Sequence, residues 1–120
     1  MSAILEKVKE MEAEMHRVGF WSPALSSVPD ESKLYAGVSF EQWLQFIFLP
    51  RVAAAAASDN FVNVPAYRVG LAALRQYDYH STIPEAFPLM HLCQQLEKLL
   101  SGKLIDVQQG APADAAKPRA

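Results

Sequence analysis

With 120 residues the chain has room for one domain, and 51% hydrophobic against 20% charged residues excludes a disordered polymer and requires a packed core. Eleven basic and thirteen acidic side chains leave a net charge of −2, which excludes the positive field that gathers nucleic-acid phosphates, so tight unaided binding of RNA or DNA is not expected. The single cysteine, Cys93, excludes an internal disulfide framework.

From the N-terminus, Ile4, Val8, Met11, Met15 and Val18 recur at spacings of four, three, four and three, the stripe of an amphipathic helix over 3–18. Its other faces carry charges of both signs, as a solvated surface does, and nothing there reads as a signal-peptide hydrophobic run. A cytoplasmic location is therefore expected. Gly19 suits a C-terminal cap. Residues 20–38 hold Pro23, Pro29, Gly37 and several serines, too many breakers for regular structure, and form a long loop that Phe20, Trp21, Leu25, Leu34 and Tyr35 are expected to pin across the bundle.

Ser39 with Gln42 three residues on is a capping box that starts a second helix, over 40–57. Phe40, Trp43, Leu44, Ile47 and Phe48 make one apolar face, which Phe46 and Leu49 widen beyond what one neighbouring helix covers, while Glu41, Gln42 and Gln45 mark a wet side. Such a helix is either the most buried of the bundle or leaves a patch for another protein. Its apolar run, 46–57, is broken by Pro50 and Arg51 and is shorter than the roughly 20 residues a membrane span needs. Pro50 removes a donor and crowds the carbonyl four residues back, which predicts a kink or restart near it. Arg51, eleven positions after Phe40, falls on nearly the same side as Phe40, Leu44 and Ile47, and is expected to be partly buried and paired with a carboxylate or free carbonyls.

A third helix is expected over 65–77, opening at Pro65 and burying Tyr67, Gly70, Leu71, Leu74 and Tyr77, with Arg68 and Arg75 beside that stripe as solubility charges or, at most, a minor phosphate contact. Thr82 and Glu85 form a second capping box around Pro84, and Leu89, Leu92, Cys93, Leu96, Leu99 and Leu100 continue as a fourth helix over 83–101, ending at Ser101 and Gly102. The expected fold is thus all-α, a single-domain bundle of four main helices over 1–102 with a long packed loop between the first two. Residues 103–120 read as a tail, alanine, proline and charge from Gly110 onward, and are expected to be disordered.

Little chemistry assembles along this chain. His16, His80 and His91 lack the near His or Cys neighbours of a zinc site, Asp78 and His80 have no nucleophile to serve, and Cys93 lies on a leucine stripe where a thiol stays protonated. Neither GxGxxG nor GxxxxGK[ST] occurs. No catalysis, metal or cofactor is expected.

The run Phe40-Glu41-Gln42-Trp43-Leu44-Gln45-Phe46-Ile47-Phe48-Leu49-Pro50-Arg51 resembles the YqcC-like family of small bacterial proteins, which carry a Trp-Leu-Gln-aromatic core followed by an apolar trio and Pro-Arg. Trp21 with Pro23 matches that family's tryptophan and proline after the first helix, and the resemblance covers residues 3–101. It implies an all-helical bundle with no catalytic residue attributed to it, often encoded beside a C-type tRNA pseudouridine synthase. Trp21, Trp43, Gln45, Phe46, Pro50 and Arg51 are then candidate interface or structural residues. Two functions follow as expectations. One is a non-catalytic accessory subunit that docks on the synthase through the second helix and its preceding loop and meets tRNA only indirectly. The other is a stand-alone binder of a small apolar or aromatic ligand between Trp21, Trp43, Phe46 and Tyr67. A homodimer is compatible with either.

Overall fold

The Ser2 hydroxyl accepts the Leu5 amide at 3.1 Å and opens α1, Ala3–Arg17, whose Ile4, Val8, Met11 and Met15 are all buried. The expected stripe is the buried one, and Gly19, at φ 81°, turns the chain away where a side chain would be strained. The structure, a computed structural model, describes residues 2–62, 64, 68–79 and 81–109, the last six by backbone alone.

Helix α2 starts where Ser39 accepts the Gln42 amide at 3.0 Å and runs through three segments, Phe40–Trp43, a π turn Leu44–Phe48, and Leu49–Ser58. The expected disturbance at Pro50 is this widened turn just ahead of it. Proline offers no amide to the carbonyl of Phe46 and presses its ring against it, and a wider turn relieves both. The extra residue per turn also changes which side chains face inward. Phe40, Leu44, Phe48 and Val52, each four apart, would drift around a regular helix, yet all are buried. With Trp43, Leu49 and Ala55 they make up the buried face of α2. Of the two residues that widen its apolar face, Leu49 is covered from within and Phe46 is left half-buried.

Helix α3 is Val69–Asp78, starting later than expected, and residues 63, 65–67 and 80, with Pro65, Tyr67 and His80, lie outside the described residues. Its start is set from a distance. Glu97 Oε1 accepts the amides of Gly70 (2.8 Å) and Leu71 (3.2 Å), a cap supplied by another helix. The box expected of Thr82 and Glu85 does not form: Thr82 bridges to Asp78, and a 3₁₀ turn, Pro84–Ala86, without a side-chain cap, leads into α4, Phe87–Gln109. The helix does not stop at Gly102. One glycine costs a helix only about 1 kcal/mol, and Lys103 is held by Asp59 (4.0 Å) and over the Phe61 ring (5.8 Å). Residues 103–109 of the expected tail are thus helical, and 110–120 lie outside the described residues.

Helix α4 packs on α3 and α1, and α1 packs on the second half of α2. One buried cluster runs through all four, from Ile4 to Leu100, so the fold is an all-α, single-domain bundle; among the described residues the only β pairing is the Asp78–Thr82 bridge. No helix among them is long and apolar enough to cross a membrane. The closest approach of α3 to α4 depends on Gly70, where a Cβ would sit 2.7 Å from the Gln94 Cα, a backbone atom that cannot swing aside. Gly70→Ala should therefore lower the unfolding free energy by about 1 to 3 kcal/mol, read from urea denaturation, despite alanine's better helix propensity; an unchanged midpoint would mean that the helices part freely.

Candidate functional site

The polar side chains of α2 bind protein. Gln45, only 7% exposed, accepts the Ser22 amide with Oε1 (2.8 Å) and donates Nε2 to the Ser22 carbonyl (2.8 Å). Gln42, one turn earlier, accepts from the amide (3.2 Å) and hydroxyl (2.8 Å) of Ser26, and its Nε2 reaches the Ser22 hydroxyl (3.3 Å) and the Ala24 carbonyl (3.4 Å). The wet side expected for these two glutamines is instead a clamp on residues 22–26. A glutamine offers donor and acceptor together and so pairs with both polar groups of a peptide, which a wheel that scores it simply as polar does not register.

Around the clamp, Phe20, Trp21, Leu25 and Tyr35 pack against the core as expected, whereas Leu34, expected to pin the loop, is 72% exposed, as Val28 is at 88%. Leu34 opens a 3₁₀ turn, Leu34–Gly37, in which Tyr35, Ala36 and Gly37 are all left-handed; the tyrosine turns inward and the leucine out. Tyr35 meets the rings of Phe40 (5.2 Å) and Trp43 (5.6 Å), and Trp43 stacks on Phe48 (4.9 Å).

Of the aromatics expected to share a ligand pocket, Trp21 and Phe46 do not line the cavity that Trp43 lines. Trp21 stacks on His16 (4.4 Å), Phe46 is half-buried, and Tyr67 is outside the described residues. Trp43 lines a cavity of about 210 Å³ with Tyr35, Phe48 and Arg51, and neither Trp21 nor Phe46 is on its wall. Arg51 finds the expected carboxylate, Glu31 at 3.0 Å, but is not buried: its side chain is 47% exposed. The π turn rotates everything after it relative to Phe40, and Arg51 leaves the apolar side. Arg68 and Arg75 are both exposed, and Arg68 is engaged by Glu97 at 3.3 Å, which lowers its value for a phosphate.

Tyr77 is buried and donates its hydroxyl to Glu41 (2.7 Å), with Phe20 and Phe40 against its ring at 5.9 Å. Burial, with the Glu41 carboxylate beside it, pushes the phenol well above the usual tyrosine range. Burial likewise pushes the Cys93 thiol up, away from nucleophile chemistry. Among the described residues no three His, Cys, Asp or Glu side chains come together to hold a metal. The contacts that the sequence did not single out, Ser22, Glu31, Glu97 and the Glu41–Tyr77 pair, all join residues at least 20 positions apart.

Fold and site define an all-α scaffold that clamps one long loop at residues 22–26 and turns two apolar side chains of that loop, Val28 and Leu34, outward. The chain belongs to the DUF446 family, described as tRNA pseudouridine synthase C, whose model matches residues 3–99. That agrees with the YqcC-like resemblance of the Trp43–Arg51 run. No curated protein and no solved structure matches the chain.

The two polar attachments of the loop should differ in strength. Gln45→Leu leaves both polar groups of Ser22 without their partner and should cost about 1 to 3 kcal/mol while speeding amide exchange at Ser22. Arg51→Ala removes an exposed ion pair and should cost less than about 1 kcal/mol. The reverse order in denaturant titration would place the anchor at Arg51.

A phenol held protonated more firmly in the folded chain stabilises fully below its unfolded pKa and loses that contribution as pH rises past it. Stability should therefore fall as pH rises beyond about 10, and Tyr77→Phe should flatten that part of the curve. An equal fall in the variant would put the alkaline sensitivity elsewhere.

Proposed function

We propose that the protein acts without catalysis, as a protein-binding module that docks on a tRNA pseudouridine synthase through the loop between α1 and α2. The observation that carries this reading is a loop clamped at residues 22–26 by the side-chain amides of Gln42 and Gln45 and reversed by the turn Leu34–Gly37, which presents Val28 and Leu34 largely to solvent. A segment ordered in advance loses little entropy on binding, so exposed apolar side chains on it contribute more of their burial to affinity. Three groups a reaction could use are engaged elsewhere: Cys93 is buried in the core, His16 is stacked on Trp21, and Tyr77 is bound to Glu41. The choice of partner rests on the family's description, which names the synthase. With a net charge of −2 and Arg68 occupied by Glu97, any tRNA contact belongs mainly to the enzyme.

Mixed at micromolar concentration with the C-type synthase of the same genome, the full chain should co-elute from size exclusion and change the rate of uridine modification. The pair Val28→Asp and Leu34→Asp should weaken the complex at least about tenfold, roughly 1.4 kcal/mol, with the circular dichroism unchanged. Absence of a complex with the parent chain, or full affinity in the folded double variant, overturns the reading. Alone, the chain should hold tRNA only weakly, with the affinity falling steeply as salt rises.

A further inference from the structure

We propose that the cavity between the left-handed turn and α2 is a binding site for a small free aromatic carboxylate. Its wall is apolar and partly aromatic: Leu34, Tyr35 and Ile47 stand around it, with Tyr35 against Trp43 at 5.6 Å and the buried Phe48 stacked behind Trp43 at 4.9 Å. Its mouth is charged, with Arg51, Lys33 and Glu31 on the rim. The volume of about 210 Å³ narrows the ligand. An apolar cavity of about 150 Å³ accommodates benzene, and sites for drug-sized molecules begin near 300 Å³. One ring with a short polar substituent fits between those limits, and a nucleotide does not.

The sign of the substituent follows from the rim. Two cations face one carboxylate there, and Lys33 has no carboxylate partner among the described residues. Glu31 Oε2, 3.0 Å from Arg51 Nη2, marks where a carboxylate oxygen is already accepted. Both partners of that pair are largely exposed, so the pair is weak and a ligand carboxylate can displace Glu31 at small cost. A ring seated against Tyr35, Leu34 and Ile47, over the small part of Trp43 that is exposed, with its carboxylate at Arg51 combines aromatic and apolar contact with a charge-assisted hydrogen bond, the arrangement that a planar guanidinium favours. The wall is also held out of its relaxed shape. Tyr35 (φ 54°, ψ 32°) and Ala36 (φ 55°, ψ 25°) are left-handed, a conformation that L-residues with side chains avoid, and it turns the Tyr35 ring toward Trp43.

The test is amide chemical-shift titration of the full chain with benzoate, benzamide and acetate, in the parent and in Arg51→Gln and Glu31→Gln. Benzoate should give saturable shifts confined to residues 31–36 and 43–51, with a Kd of about 1 mM or tighter, within reach of so few atoms. Benzamide, which keeps the ring and loses the charge, and acetate, which keeps the charge and loses the ring, should each bind at least about tenfold more weakly. Arg51→Gln should weaken benzoate by a similar factor, and Glu31→Gln should tighten it by removing the competitor. Both substitutions are at exposed positions, and unchanged amide dispersion verifies the fold. No saturation by about 10 mM, benzamide equal to benzoate, or Glu31→Gln weaker than the parent would each overturn the proposal. Because the ligands are free small molecules and the synthase is absent, this result stands apart from that of the docking experiment.

Discussion

A primary amide withdrawn from water has to recover both a donor and an acceptor, and Gln45 recovers them from a single residue, Ser22. That requirement organises one whole side of the molecule. With Ser22 fixed, Trp21 and Phe20 are delivered to His16 and Tyr77, and Leu25 is brought down beside them onto the core. Gln42 repeats the attachment one turn earlier at Ser26, so the chain from 22 to 26 is bound along its length. Most of the apolar width of α2, too great for one neighbouring helix, is covered by this loop and by α1, and Phe46 is left half-buried. The surplus is a consequence of having a loop for a neighbour, and two glutamines supply that loop with hydrogen bonds that a strand or a helix would have supplied internally.

Gln45 reaches Ser22 from within the π turn, which ties the clamp to Pro50. A regular helix through Phe46 and Pro50 would set a carbonyl against the proline ring. The widened turn removes the clash and rotates the following residues by close to one position, which brings Phe48 and Leu49 inward and carries Arg51 outward to Glu31. Gln45, Pro50 and Arg51 are therefore linked by one backbone distortion: the proline induces it, the glutamine uses it, and the arginine is moved by it. This accounts physically for why these residue types stand at these spacings.

Much of the fold was legible in the sequence because much of it is local. The α1 stripe, the Ser39 cap, the Gly19 stop and the leucines of α4 each depend on residues within a turn or two, and each is found in place. The start of α3 was not legible, since its cap is Glu97, a residue 27 positions downstream of Gly70. Nor was the end of α4, because Gly102 stops an isolated helix better than one held onward by Lys103 against Asp59 and Phe61. Arg51 was placed on the wrong side for a third reason, a register set at 100° per residue through a turn that does not keep it. The glutamines were misread because polarity predicts an aversion to apolar burial and not to peptide groups.

The turn at Leu34–Gly37 shows what the loop must accomplish and at what conformational expense. Two left-handed residues with side chains cost on the order of 1 to 2 kcal/mol each, and the turn recovers this through contacts that an ordinary turn would lack. Ala36 is buried and bonded at both ends of its peptide group, its amide to the Lys33 carbonyl (2.9 Å) and its carbonyl from the Asp30 amide (2.8 Å). The Tyr35 ring is set edge-on to Phe40. The reversal also brings the chain into Ser39 in the extended conformation that a helix cap needs. The same strained backbone thus starts α2 and leaves Leu34 in solvent. Relaxing Tyr35 to a right-handed turn would redirect the chain on both sides of it, so the outward leucine and the start of the helix are two ends of one constraint. A surface built in this way takes its shape from the fold itself.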